Sequence, residues 1–218
     1  MYSPTRTTTP SRLADRARYD AETVHAILDE ALICHVGFIA GDRPQVLPML
    51  FVRSGSTVYL HASTGAHVAR IAARQGGVEV AVEATIVDAL VLARSAFHHS
   101  ANYRAVVAHG TATVVPDPAR KEEVLEALME KMAPGRTDQV RAPNEIELRQ
   151  TAVLALPLME VSAKIRTGPP ADDLEDLSLG HWAGLWPIRE VRGTPEPAAD
   201  LTPGIGLPAH LRRAGDRP

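Results

Sequence analysis

Three apolar segments with strand character follow one another between residues 32 and 63, separated only by short turns. The segments read LICHVGFIAG, VLPMLFVR and TVYLHAS, and the turns between them are GDRPQ and SGS. Strands joined by turns this short pair antiparallel, because a parallel pair needs a crossover of a dozen or more residues. The order therefore predicts consecutive hairpins. It excludes the strand–helix alternation of a dinucleotide-binding α/β fold, whose GxGxxG glycine pattern is also missing.

Helical periodicity and capping residues mark three helices around these hairpins. Asp20 is placed as the N-cap of a first helix, and the stretch TGAHVARIAARQGG predicts a short second helix that ends at two glycines. Asp117 and Pro118 begin the clearest helix, which Pro134 and the following glycine end. A shorter stretch, NEIELRQ, is predicted as a helix or a turn.

Further strands complete the pattern. VEVAVEATIVDALVLA is predicted as one bent strand or two, YRAVVAHGTATVV as a half-buried strand, and TAVLALPLMEVSAKIRTG as one last strand. In that last strand Pro157 indicates an edge or a bulge. The chain is therefore predicted to be mainly β, a small antiparallel barrel with peripheral helices packed at its ends.

The length of 218 residues favours one domain with tails. Residues 1–17 are rich in Thr, Ser, Pro and Arg and are predicted to be a flexible N-terminal arm. Residues 18–190 are predicted to form the barrel domain, and residues 191–218 an extended or disordered C-terminal tail.

Composition restricts the class of protein. Apolar residues make up 45% and charged residues 22%, as in folded globular chains. The formal net charge of −3 gives no basic surplus, so nucleic acid and anionic membranes are not expected partners. The single cysteine, Cys34, excludes an internal disulfide, and with no export signal or membrane span in sight a cytoplasmic location is expected.

Common catalytic and metal signatures are missing. His98 and His99 are adjacent, so their side chains diverge, and no HExxH or CxxC spacing accompanies them. We interpret His25 and His35 as surface or core histidines. The sequence has no GxSxG motif, and Cys34 lies in a segment too apolar to favour a thiolate. No metal is expected, and no catalytic residue stands out.

Anion recognition is the remaining chemistry. In HASTGAHVAR, Ser63 and Thr64 precede a short helix that carries His67 in its first turn and Arg70 one turn later. Free N–H groups at a helix start favour a phosphate. Simple N-capping by the two hydroxyl residues explains the same pattern and stays open as an alternative.

Five segments carry a resemblance to a known family. They are ILDEALICHVGFIAGDRPQVLPMLFV, VYLHAS, LVLARSAFHHSANYRAVVAHGTATV, PGRTDQVRAPNEIELRQTAVLALPLMEVSAKIRTGPPADD and WAGLWP. In this order they resemble the flavin-nucleotide-binding branch of the pyridoxamine 5′-phosphate oxidase-like proteins, which includes the Nim-type nitroimidazole-resistance proteins. The resemblance covers roughly residues 15–190. It implies an FMN-binding split β-barrel that forms a homodimer, with FMN in a groove between the subunits.

The resemblance also implies which residues contact FMN. The strand containing Val46, Leu47, Pro48 and Met49 would present its backbone to the flavin ring. The phosphate end would be formed by His61, Ala62, Ser63, Thr64, His67 and Arg70.

Polar donors near the junction of two later strands are the next group. They are Arg94, Ser95, His98, Ser100, Asn102, Tyr103 and Arg104. Lys164 and Trp182 are further candidates, with Arg166 and Trp186 near them. Two structural alternatives stay open: Arg94 and Arg104 pair with Asp88 or Glu83, and the tryptophans pin the tail to the barrel.

Many phosphate-binding loops of this superfamily have Arg-Lys where this chain has GAHVAR, which puts the affinity for FMN in doubt. The resemblance implies an FMN-dependent oxidoreductase acting on a small organic molecule, in which the cofactor performs the redox step. The alternative is a module that binds a flavin or haem without turnover, with His61 placed to approach the ligand.

Overall fold

The computed structural model describes residues 1–212. The strands are β1 (Ala17–Arg18), β2 (Ile33–Ala40), β3 (Arg43–Ser54), β4 (Thr57–Ser63), β5 (Val78–Leu92), β6 (Ser100–Val114), β7 (Thr151–Pro157), β8 (Glu160–Arg166) and β9 (Gly184–Pro187). The α-helices are α1 (Ala21–Glu30), α2 (His67–Gln75), α3 (Pro118–Met132) and α4 (Glu145–Gln150).

Every strand pairing is antiparallel. The strands lie in the order β1-β8-β6-β7-β4-β3-β2-β5-β9, and β6 also pairs with β5. β6 is shared between the two parts of the sheet, because one of its edges follows β5 and the other pairs with β8 and then with β7. The prediction of a mainly antiparallel β fold with peripheral helices is confirmed.

The sheet splits between β3 and β4. β3 pairs with β2 from Arg43 to Leu50, but it pairs with β4 only from Phe51 to Ser54. Residues 61–63 of β4 continue along β7. No described strand therefore pairs with the second edge of β3 over residues 43–50, and this open edge is the feature that positions the candidate site.

The main core fills the space inside the sheet. Val36, Phe51, Leu60, Val82 and Leu154 are its buried members from five different strands. α1 adds one end of this core and α2 the other, since α1 leads into the start of β2 while α2 lies beside the residues that end it. A second cluster lies outside, where α3 covers β3, β4 and β7.

The predicted helix starts are confirmed. The Asp20 carboxylate accepts a hydrogen bond from the Thr23 N–H at 2.8 Å, and Asp117 caps α3 with Pro118 in the first turn. α2 ends at Gly76, whose φ of 76° is left-handed and suits glycine. NEIELRQ forms α4, which a reciprocal capping box between Asn144 and Glu147 begins.

Two strand predictions have different outcomes. The stretch from residue 78 to 92 is one strand, β5, with a register shift between Val87 and Ala89. The single last strand is wrong, because residues 151–166 form two strands, β7 and β8. The chain turns at Leu158 and Met159, so Pro157 ends a strand at the turn.

Residues at both ends of the chain contact the body of the protein. The Tyr2 hydroxyl lies 2.7 Å from His25 Nε2, the side chain of Thr8 is buried, and Tyr19 donates to the Thr8 carbonyl at 3.0 Å. Beyond β9 the described chain is irregular except for one short 3₁₀ turn. The three domain boundaries stay predictions, and residues 213–218 of the predicted tail lie outside the described residues.

Candidate functional site

The open edge of β3 carries the residues predicted to face a flavin ring. Val46 is 64% exposed, Leu47 is half-buried and Met49 is buried, so Met49 can offer only its backbone at the surface. Proline in a sheet places its ring nitrogen away from the neighbouring strand. The backbone nitrogens of every second residue in a strand point to the same side. Because those of Pro44 and Pro48 point away from β2, the Val46 N–H between them faces the open edge.

A shallow groove crosses the sheet surface next to this edge. It measures about 510 Å³ and its lining includes Gly37, Val46, Ala81 and His109. A Cβ on Gly37 would make only ordinary contact with the Ala81 carbonyl at 3.6 Å, and its backbone needs no positive φ. The fold of a single chain therefore leaves room for a larger side chain at this position.

Most polar groups at the end of β4 form hydrogen bonds within the chain. Both the N–H and the hydroxyl of Thr64 donate to the Gln150 carbonyl, at 2.9 and 3.2 Å. The Ser63 hydroxyl accepts from the Gly65 N–H at 3.2 Å, and Ala62 is buried. Both hydroxyls therefore form hydrogen bonds within the chain, but neither caps α2, whose N-cap is Ala66, so the N-capping alternative is wrong. His61 remains the side chain at the end of β4 that is available to a ligand.

His61 lies on the outer side of β4, opposite Val153 of β7. Burial lowers the pKa of His61 below its ordinary value. The ring is therefore neutral at pH 7 and can offer one donor and one acceptor, which suits hydrogen bonding better than pairing with an anion.

One face of α2 forms a cationic pocket along the length of the helix. His67, Arg70 and Arg74 follow one face of the helix and line a pocket of about 340 Å³ together with the turn at Ala40 and Gly41. The lining contains no carboxylate among the described residues. Ala66 is the N-cap and provides no side-chain hydrogen bond, so the first N–H groups of α2 have no capping side chain. The donor set fits a phosphate.

Arg94 and Ser95 lie at the end of β5, under the C-terminal segment. The Asp172 carboxylate, 2% exposed, accepts from the Arg94 backbone N–H at 2.8 Å and from its guanidinium at 2.7 Å. Burial by itself raises the pKa of Asp172, but the hydrogen bonds from Arg94 outweigh it and hold that pKa below its ordinary value. Arg94 Nε and Ser95 Oγ are buried without a hydrogen-bond partner. Trp182 is 69% exposed and its ring lies against Gly184.

The guanidinium of Arg104 is fully engaged by carboxylates. It donates to Asp88 at 2.8 to 3.2 Å and to Glu30, with a 2.8 Å contact to Oε1. These hydrogen bonds, led by Glu30, raise the pKa of Arg104 above its ordinary value. The structural alternative of an Asp88 pair is thus confirmed for Arg104, while Arg94 pairs with Asp172 instead.

The predicted site residues fall into two groups within one chain. The first group lies along β3, β4 and α2 and consists of Val46, Leu47, Pro48, Met49, His61, Ala62, Ser63, Thr64, His67 and Arg70. The second group lies on the outer half of the β5–β6 hairpin, on β8 and in the segment after it, and consists of Arg94, Ser95, Ser100, Tyr103, Arg104, Lys164 and Trp182. β5 leaves β2 after Glu83, so the hairpin carries the second group away from the first.

Sequence reasoning missed two features. Arg74 joins Arg70 and His67 on one helix face, and the 67, 70, 74 spacing is a signal that was available. His35 Nδ1 lies 3.2 Å from Glu83 Oε2, a partner 48 positions away that no local pattern reveals.

A larger cleft lies at the other end of β2. It measures about 1230 Å³ and is bounded by the end of α1, the start of β2, the middle of β5, Lys131 of α3 and the segment after β9. His35 and Arg104 are among its lining residues. Within residues 1–212, no three His, Cys, Asp or Glu side chains gather as a metal site.

Comparison with known proteins assigns the family. The family model for pyridoxamine 5′-phosphate oxidase matches residues 20–165, which is more than half of the chain. The chain belongs to the pyridoxamine 5′-phosphate oxidase-like family. The structure of flavocytochrome Anf3 from Azotobacter vinelandii is 36% identical, with a TM-score of 0.89 and 97% of each chain covered.

Two further structures extend the comparison of this pyridoxamine 5′-phosphate oxidase-like chain. The FAD and haem binding protein from Mycobacterium smegmatis is 33% identical with a TM-score of 0.84, covering 90% of this chain and 95% of its own. A candidate 5-nitroimidazole antibiotic resistance protein from Bacteroides thetaiotaomicron is 17% identical with a TM-score of 0.57, covering 79% and 90%, and supports the split-barrel fold. A search of curated proteins finds no match. None of the helices in the described part of the chain has the length and apolarity to cross a membrane.

Proposed function

We propose that this chain is a homodimeric flavin-nucleotide-binding protein that acts as an oxidoreductase on a small organic molecule. The observation that carries the proposal is the open edge of β3 together with the cationic pocket between α2 and the turn that precedes β3. A flavin nucleotide needs acceptors and donors for a flat ring at one end and positive charge for phosphate at the other.

The two ends of the site supply these groups. The Val46 N–H and the carbonyl groups of β3 would meet the polar edge of the ring, while Arg70 and Arg74 would hold the phosphate. Arg70 and Arg74 would supply the positive charge that an Arg-Lys pair supplies in many phosphate-binding loops of this superfamily. A bound flavin supplies the redox chemistry, so the chain itself has to bind, orient and shield it.

FMN is the form of the cofactor that the sequence resemblance implies. The FAD named for the Mycobacterium smegmatis relative supports the dinucleotide instead. Mass spectrometry of the cofactor released from the purified protein separates the two.

The outer face of the sheet supports the proposed homodimer. Gly37 and Ala81 give this face small side chains, His35 and Glu83 are polar residues beside them on the same face, and Val46 stands exposed at its margin. Flat faces of this kind, with a glycine that one chain does not need, suit a second copy packed closely against them. The cytoplasmic location and the absence of nucleic-acid partners remain predictions.

Flavin affinity tests the proposal. The double variant R70A/R74A should bind flavin roughly 10–100-fold more weakly, because it removes charge-assisted hydrogen bonds to phosphate. R149A is a matched control, since Arg149 contacts only Glu145 on the surface of α4. The measurement is flavin fluorescence quenching during titration of apoprotein. Equal affinities for wild type and R70A/R74A would contradict the phosphate assignment.

Haem binding is the second candidate function. Two relatives above 30% identity are described as a flavocytochrome and as an FAD and haem binding protein. The flavocytochrome match covers 97% of this chain and so extends through the C-terminal segment, which lies beyond residue 165 where the family model ends. That segment forms one wall of the 1230 Å³ cleft, so the cleft is the place where this chain could hold a further cofactor.

A further inference from the structure

We propose that haem binds in the cleft between the start of β2 and the C-terminal segment, where His35 Nε2 would hold the iron and Glu83 would orient the His35 ring. This inference rests on the proposed haem binding and names its site. It assigns a role to a histidine that the sequence alone placed among ordinary surface or core residues.

The surroundings of His35 match those of a metal-binding imidazole. Its Nδ1 lies 3.2 Å from Glu83 Oε2, and the Thr85 hydroxyl donates to the other oxygen of the same carboxylate. A histidine that ligates a metal through one nitrogen usually donates the N–H of the other to a carboxylate, which fixes the tautomer and strengthens the ligand. The same pairing here leaves Nε2 as the nitrogen with a lone pair, and the side chain is 55% exposed.

The sheet holds this arrangement rigidly. His35 and Glu83 are directly opposed partners in the β2–β5 ladder, so their side chains stand side by side on one face. Cys34 and Val36, the neighbours of His35 in β2, are fully buried and anchor the strand. Histidine on a rigid strand with a carboxylate next to it is preorganised, which is what a ligating side chain requires.

The cleft has walls of the right chemistry for a porphyrin. Ile33, Ile86, Val87 and Ile188 line it with apolar surface, and its volume exceeds the ~300–1,000 Å³ of ordinary ligand pockets. The charged lining residues are Asp29 and Glu30 of α1, Asp88 of β5, Arg104 of β6, Lys131 of α3, and Arg189, Glu190 and Arg192 of the C-terminal segment. Glu30 and Asp88 already pair with Arg104, so Arg189 of the C-terminal segment is the cation proposed to meet a carboxylate of haem.

The C-terminal segment is fixed where it closes the cleft. β9 pairs with β5 from Ala89 to Leu92, and the Ile188 N–H donates to the Asp88 carbonyl at 2.9 Å. The Arg192 guanidinium also donates to the Met132 carbonyl at the end of α3. The segment shared with the flavocytochrome therefore bridges β5 and α3 over the cleft.

His35 also lies close to the proposed flavin. It is opposite Pro48 in the β2–β3 ladder, one strand away from the open edge that would meet the flavin ring. A haem on His35 and a flavin on β3 would be near neighbours, which suits transfer of electrons from one to the other.

His98 serves as a comparison. Its Nε2 has a carboxylate partner, Asp173 Oδ2, at 3.1 Å, but His98 lines none of the cavities described above. Substitution of His98 therefore removes an imidazole that has a carboxylate partner without touching the cleft. His61, which the sequence placed near such a ligand, lies on β4 and does not line the cleft.

Titration of the flavin-loaded protein with ferric hemin tests the assignment. Wild type and H98A should bind one hemin per chain with the same Soret band. H35A should bind at least ~10-fold more weakly with a shifted band, and added imidazole should restore the wild-type spectrum in H35G. E83Q should still bind hemin but with a raised reduction potential. A carboxylate accepts the hydrogen bond from His35 Nδ1 more strongly than a neutral amide does, which makes the imidazole a stronger electron donor and stabilises ferric iron.

Two results would overturn the inference. One is a wild-type Soret band and affinity in H35A, and the other is failure of the wild-type protein to bind hemin at all. The flavin content of each sample is measured in parallel. Flavin that stays bound while hemin does not would reject the haem site alone, whereas a protein that binds neither would reject the proposed function as well.

Discussion

Two neighbouring aspartates make a comparison at the scale of single residues. Asp172 is buried and accepts two hydrogen bonds from Arg94, while Asp173, whose side chain is 68% exposed, contacts only His98. Exposed ion pairs contribute little to stability, whereas removal of a buried carboxylate leaves its hydrogen-bond donors without an acceptor. The two positions should therefore respond differently to the same substitution.

We expect D172A to loosen the segment after β8 and D173A to leave it unchanged. Arg94 Nε is already buried without a partner, and D172A would leave the rest of the guanidinium in the same condition. Hydrogen exchange of residues 167–187 should become roughly tenfold faster in D172A, the factor that corresponds to one charge-assisted hydrogen bond. Matching exchange rates in both variants would show that the tail is held by other contacts.

At the scale of elements, Lys131 connects α3 to α1 and to β3. Its Nζ donates to the Leu28 carbonyl near the end of α1 at 2.8 Å and lies 3.7 Å from the centre of the Phe51 ring in β3. Burial lowers the pKa of Lys131 to about 8. The folded structure therefore favours the neutral form of the Lys131 amine.

This pKa predicts how stability changes with pH. Between about pH 8 and pH 10 the unfolded chain holds the Lys131 proton more tightly than the folded chain, so this residue makes the free energy of unfolding rise with pH. The rise should reach about 1–2 kcal/mol and be absent in K131M. Denaturant unfolding of both proteins at several pH values measures it.

The difference between the two curves is the relevant quantity. Burial raises the pKa of the Cys34 thiol to about 12, which makes stability fall above pH 9 in both proteins. Subtracting the curves removes this opposite contribution. Parallel curves would contradict the assignment to Lys131.

Local elements were predictable from sequence because their causes are local. Asp20 and Asp117 cap helices through hydrogen bonds to N–H groups two or three residues away, and Gly76 ends α2 through its own φ. The turn at Leu158 and Met159 escaped prediction because neither residue is a turn former and both extend the apolar run of residues 152–157. Residues 151–166 therefore gave no local signal that one strand ends and another begins.

The site was predictable only in part for the same reason. The backbone of β3 and the start of α2 are contiguous pieces of sequence, and the resemblance named both. The partners of Arg94 and His35 lie 78 and 48 positions away, so only the folded chain reveals them. The resemblance located the polar residues near residue 94 but could not show that ion pairs already occupy them.

At the scale of the whole molecule, the proposed dimer depends on the outer face around Gly37. We expect wild type to have twice the 23.4 kDa chain mass by light scattering, and V46E to be largely monomeric because it places a charge in the contact. V140E adds the same charge to an exposed valine on the loop after α3 and should stay dimeric. If the flavin lies between subunits, V46E should also lose flavin, while a dimeric V46E would place the interface elsewhere.

The prolines of β3 have a consequence for solubility. A strand with an unpaired edge can recruit a strand of another molecule and begin a fibril. Along residues 43–50 the ring nitrogens of Pro44 and Pro48 deprive such a recruit of donors on either side of Val46. A small ligand needs only one or two donors, whereas an invading chain needs a continuous ladder. This edge can therefore stay unpaired in the folded chain without offering a continuous ladder of donors to a strand of another molecule.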